Sequence, residues 1–240
     1  MTGNKFHQRG FTLVEIIMAI MIAMLVIGAI WTAVVAGQRS SAGVEKKVST
    51  TQDARTATDL MAMEISMASF NPALGEATPW VDPDNCNAGI GAYRGIQRAS
   101  STGITIEMDL SNANPAAPTC GDADNEIIAY AYDAENRRVT RSVTRCAAGV
   151  PTVATQTLLG PVNATVKTVN VINGAMPVFR YFDAAGNEMV LDGNPANIPL
   201  IRRISIALVV ESEEPDPSTG QPRRLSYSTS VIPRNHGVTY

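Results

Sequence analysis

The hydrophobic pattern of the chain changes character along its length. The first ten residues, MTGNKFHQRG, are polar and contain Lys5 and Arg9 but no acidic residue. From Ile16 to Ala36 no charge occurs, and apolar side chains fall all round a helix rather than on one stripe. At roughly 1.5 Å of rise per residue such a run is long enough to cross a bilayer. Beyond Gly37, Val44, Val48, Thr51, Ala54, Thr58, Met61, Ile65 and Ala68 advance by three or four residues, which predicts an amphipathic helix ended by Pro72. One helix from about Phe11 to Phe70 is expected, roughly 90 Å long, with Gly28 and Gly37 as its weak points.

After Pro72 the period shortens to two. Ile104, Ile106, Met108 and Leu110 alternate with polar or small residues, as do Ile204, Ile206, Leu208 and Val210, and both read as half-buried strands. EIIAYAYD from Glu126, RRVTRSV from Arg137, TVKTVNVI from Thr165, VFRYFD from Val178 and LSYSTSVI from Leu225 add further strands. DAAGN from Asp183 and EEPDPSTGQPRR from Glu213 are turns between neighbours. The expected fold is α+β: a long N-terminal spine helix, transmembrane in its first half, with an antiparallel sheet packed on its second half.

Composition narrows the function. The 240-residue chain has net charge −3 and only 5% aromatic residues, a poor basis for nucleic-acid binding. Its two histidines, His7 and His236, sit at opposite ends, and neither a phosphate-cradling glycine loop nor a Gly-x-Ser-x-Gly elbow is present. No enzymatic activity, cofactor or metal is expected. Asp82, Asp84, Asp122, Asp124 and Glu126 supply clustered oxygens, but without a calcium-loop pattern they read as solvated carboxylates. Arg202–Arg203 and Arg223–Arg224 read as solvated strand edges.

One residue resists these readings. Glu15 places a carboxylate at the head of the apolar run, where an unpaired charge is costly. A secretory signal cut after Val34-Val35-Ala36 would not place an acid there, a simple anchor leaves it unexplained, and a buried core helix does not fit so long an uncharged run. The carboxylate can snorkel to the interface or pair with a cation.

Arg9-Gly10-Phe11-Thr12-Leu13-Val14-Glu15 resembles the processing signature of type IV pilins and type II secretion pseudopilins. The resemblance implies cleavage between Gly10 and Phe11 by a prepilin peptidase, N-methylation of Phe11, and pairing of Glu15 with the Phe11 amine of a neighbouring subunit during assembly. It divides the chain into a leader (1–10), a membrane and filament-core half of the spine (11–36), an amphipathic half (37–71) and a β-rich head (72–240). AYAYDAENRRVTRS, FRYFDAAGN, IRRISIALVVES and VIPRN occur in an order similar to PilW-type minor pilins and J-type pseudopilins. The implied role is a minor pilin that primes or caps a type IV pilus, with a pseudopilin or a tip adhesin as alternatives. Implied partners are other minor and major pilins, the peptidase that also methylates, an inner-membrane assembly platform and, before assembly, membrane lipid. The head would lie in the periplasm and then at the cell surface. In that compartment disulfides persist. Cys86 and Cys120 lie in turn-rich loops and are expected to pair, leaving Cys146 buried and inert or open to a neighbour.

Overall fold

The computed structural model describes residues 10–72, 79–111, 119–147, 149–162, 169–212, 215–216 and 219–237. Residues 1–9 of the expected leader, the first part of TVKTVNVI and part of EEPDPSTGQPRR therefore lie outside the described residues.

Helix α1 runs unbroken over Leu13–Met67, 55 residues, or about 80 Å at 1.5 Å per residue. It passes through Gly28 and Gly37 without interruption. Its end is set by tertiary pairing before Pro72 is reached. Ala68 leaves the helical region, Ser69 turns to φ 67°, and the Ser69 N–H donates to Glu107 O at 2.8 Å.

Ten strands follow among the described residues: β1 (Ile96–Ala99), β2 (Gly103–Glu107), β3 (Ile127–Asp133), β4 (Arg138–Ala147), β5 (Val150–Leu159), β6 (Val169–Val171), β7 (Phe179–Phe182), β8 (Glu188–Met189), β9 (Arg203–Ser212) and β10 (Arg224–Val231). They form two sheets rather than one. The first is an antiparallel meander in the order β1-β2-β3-β4-β5; in the second, β9 pairs with β10 on one side and with both β7 and β6 on the other, and β8 lies beside β7. The α+β class holds, with every strand pair antiparallel. Among the proposed turns, DAAGN closes β7 onto β8: Asp183 Oδ1 accepts from the N–H of Ala185 (2.9 Å) and Asn187 (2.8 Å), and Gly186 supplies φ 86°.

The back half of α1 packs on β9 and β10. Ala54, Ala57, Met61, Ile65 and Ala68 enter one continuous core with Ile204, Ile206, Leu208 and Val210 of β9 and with Ile104, Ile106 and Tyr130 of the first sheet. The predicted stripe is correct from Ala54 onward. Nearer the uncharged half it lies on a different face: Val44 is 60% and Val48 48% exposed, whereas Gly43 and Thr50 are buried. The head approaches through Asp216, whose Oδ1 would lie 3.3 Å from a Cβ placed on Gly43, so this contact selects a residue without a side chain over an apolar one. β2 also departs from simple alternation. Thr105 and Glu107 are buried along with Ile104 and Ile106, while Leu110 is exposed past the strand end.

Candidate functional site: the exposed spine and its anchor

The tip of α1 is built by local sequence. Thr12 is the N-cap, with extended backbone at φ −77° and ψ 150°. Its Oγ1 accepts from the Glu15 N–H at 3.3 Å, and Glu15 Oε2 accepts from the Thr12 N–H at 2.9 Å and from the Thr12 hydroxyl at 3.0 Å. This reciprocal arrangement is a capping box, which satisfies donors that a helix N-terminus otherwise leaves open. Glu15 therefore has a role within its own chain besides the one the sequence suggested. The Thr-x-x-Glu spacing was the signal for it.

Gly10, Phe11 and Glu15 come together on this tip. Phe11 is 83% exposed and a side chain on Gly10 would meet nothing within 4 Å, so among the described residues nothing covers the Gly10–Phe11 bond. The apolar residues that follow, through Val34, are exposed on all sides of the helix, and none packs on the head. Glu15 Oε2 is held to Thr12, which directs the carboxylate back toward the N-terminus.

At the other end of α1 a buried ionic cluster fastens spine to head. Glu64 faces the core and receives a two-pronged contact from Arg141 of β4, Nε to Oε2 at 3.0 Å and Nη2 to Oε1 at 2.7 Å. The Tyr130 hydroxyl of β3 also donates to Glu64 Oε2, and Arg141 Nη2 donates to Asn125 Oδ1 at 2.9 Å. The hydrogen bond to Glu64 raises the Arg141 pKa, and burial, followed by the same carboxylate, pushes the Tyr130 phenol far up. Arg141 therefore stays charged and Tyr130 stays protonated. Sequence reading missed this cluster, although an acid beside Met61, Ile65 and Ala68 on an otherwise apolar face was a legible clue.

The disulfide corrects the sequence expectation. Cys86 is joined to Cys146, with Cα atoms 5.7 Å apart, and Cys120 is the buried free thiol. The Cys146 N–H donates to Gly121 O at 2.7 Å, so the 120–121 loop runs beside the end of β4 and turns Cys120 inward onto Trp80, Val81 and Ile127. Cys86, in a left-handed turn residue at φ 56°, is left to reach Cys146. Burial first, then the carboxylates of Glu107, Glu126, Asp109 and Asp122, push the Cys120 thiol up, so it is the inert cysteine.

The remaining candidate groups are engaged within the head. Asp82 and Asp84 meet Arg98; Asp122 accepts from the Ser111 hydroxyl at 2.7 Å; Asp124 lies 3.3 Å from Arg145. Glu126 accepts four backbone N–H groups, of Leu110, Ser111, Gly121 and Ala123, at 2.9 to 3.1 Å, and so pins two loops together. Among the described residues no group of three or more His, Cys, Asp or Glu is arranged to hold a metal ion. Arg203 stacks on Phe182, with its guanidinium 3.7 Å from the ring centre, and Arg202 donates to the carbonyls of Pro199 and Ile201. Arg223 pairs with Asp216 and Arg224 with Glu211. His236 is fully buried, with Nε2 2.9 Å from Ile198 O and Nδ1 3.1 Å from both Arg94 O and Ser69 Oγ, and burial lowers its pKa. It locks the C-terminal segment under the end of α1. Glu107 is buried with Oε2 accepting from the Val81 N–H at 3.2 Å, and burial pushes its pKa up to about 8.

A family model describing the prokaryotic N-terminal methylation motif matches residues 5–31. No curated protein and no solved structure matches the chain. The N-terminus thus carries a type IV pilin-like prepilin signature, the kind of segment a prepilin peptidase processes in a pilin-assembly context. α1 is the one described helix long and apolar enough to cross a membrane, and with the motif it fits anchoring in an inner membrane.

Proposed function

We propose that this chain is a minor pilin, a non-enzymatic structural subunit that primes or caps a type IV pilus. The observation that carries the reading is a methylation motif at the tip of a helix whose apolar first half carries no charge from Ile16 to Ala36 and stands exposed through Val34, while its second half is fastened into a folded head. An apolar surface of this kind needs lipid or other helices around it. Cleavage between Gly10 and Phe11 leaves a new amine at the tip, to be methylated. Glu15 on the next turn then offers its carboxylate to the amine of a neighbouring subunit as the helix leaves the bilayer. A paired carboxylate and amine offset much of the cost that each bears alone in apolar surroundings.

Two measurements test this. The intact mass of the membrane-extracted protein should correspond to a chain beginning at Phe11 with one methyl group, and Gly10→Glu should leave the leader attached, because a bulky charge replaces hydrogen at the cut. Deleting the gene should abolish pili and spare protein secretion. Loss of secretion with pili intact would instead assign the chain to a pseudopilus, and intact pili that no longer adhere would make it a tip adhesin.

A further inference from the structure

Among the described residues the outer edge of β5 is open along most of its length. Because the Cys146 N–H is directed to Gly121, away from β5, its ladder partner Pro151 turns its own backbone groups outward. The same alternation turns out Val153, Thr155 and Thr157, since the register irregularity at Val139/Thr140 lies beyond them. Among the described residues no backbone group on that side bonds to any of them. The far end, Leu158 and Leu159, is tucked against the core, whereas Val150 is 62% and Val153 55% exposed.

Long open edges are templates for another strand, and proteins blunt them with charges, bulges, short strands or cover. The other edges show such devices. β1 has Arg98 and a register break, β6 and β8 are very short, and β10 packs on α1. Residues 150–157, VPTVATQT, contain no charge and only Pro151 as a block.

We propose that β5 pairs antiparallel with β5 of a second copy of this chain, joining the two first sheets across a two-fold axis at Thr155. In this register Thr155 lies opposite Thr155, Val153 opposite Thr157 and Ala154 opposite Gln156. Every outward N–H then finds an outward carbonyl, Pro151 falls outside the bonded stretch, and no like charges meet, which would penalise self-pairing of a charged edge. The strand carries its own complement, and that selects a second copy over an unrelated strand.

The test uses the full-length protein in detergent, sized by light scattering. The wild type should be a dimer. Thr155→Lys and Thr155→Asp each set like charges face to face on the axis and should give monomers, and mixing the two should restore a dimer. Thr155→Cys should cross-link between copies under mild oxidation, since opposed residues of a hydrogen-bonded pair lie about 5.5 Å apart, within disulfide reach. Val150→Cys, exposed but opposite a distant residue, should not. A monomeric wild type, a Thr155→Lys protein that stays dimeric through its apolar helix, a mixture that fails to recover, or equal cross-linking at 150 and 155 each overturns the proposal.

Discussion

The two halves of α1 share one backbone and one helical period but answer to different surroundings. The front half is apolar on every side and touches nothing in the head; the back half, from Ala54 onward, buries one apolar face of Ala54, Ala57, Met61, Ile65 and Ala68 against both sheets. The acids Glu15 and Glu64, one from each half, differ in the same way. Glu15 is exposed and held by its own cap, whereas Glu64 is buried and held by Arg141 and Tyr130 from across the core. A carboxylate whose partners are local remains available to another molecule. One whose partners are distant in sequence is committed to the fold.

The largest effect that would break this comparison lies at Glu15. Glu15→Gln preserves the capping box, because Gln serves at that position as Glu does, while removing the charge. The variant should be processed normally and keep its helix, yet fail to enter filaments or co-purify with partner pilins, and Glu15→Asp should retain part of the function. Co-purification of Glu15→Gln at wild-type levels would leave Glu15 as a cap alone.

At Glu64 the same logic predicts a loss of stability with processing untouched. Arg141→Ala leaves the Glu64 carboxylate buried without its cation and should cost about 3 to 5 kcal/mol, read as a lowered denaturation midpoint of the head in detergent. Replacing Glu64 and Arg141 together by Leu and Met should recover much of it, as exchanging a whole buried pair for apolar side chains of similar volume often does. If the single substitution leaves the midpoint unchanged, the cluster is not what fastens spine to head.

Glu107 supplies a graded effect, spread over a range of pH rather than present at one condition. Its folded pKa of about 8 lies above the unfolded value, so the native state holds a proton that the unfolded chain releases between about pH 4.5 and 8. Stability from this group is full below that window and declines across it by about 1.4 kcal/mol per pH unit. Glu107→Gln should flatten this part of the profile and be the more stable protein above pH 8; parallel wild-type and variant curves would show that the group does not titrate there.

Where an element depends on near neighbours, it was legible. The uncharged run from Ile16 to Ala36, the methylation motif and the alternation in β9 each follow from residues a few positions apart, and each is found where the pattern put it. β5 was not legible, because its side chains are mostly exposed on both faces and an edge strand of that kind has no apolar alternation. The face of α1 at Val44 and Val48 was misread for a related reason. Periodicity ranks positions by hydrophobicity, whereas the contact with Asp216 takes the smallest residue available, Gly43.

What the sequence by itself determined is the exposed N-terminal device: its processing motif, its helix and its cap, all within one helical turn or one continuous run. Only tertiary structure decided that the strands divide into two sheets, that Cys86 joins Cys146 across 60 residues, and that Glu64 meets Arg141. These contacts bring together groups far apart in the chain. Which cysteine turns inward depends on where the 120–121 loop lies against β4, and which acid finds a cation depends on how α1 crosses the sheets. Hydrophobic period carries no information on either, since both are set by the closure of the core.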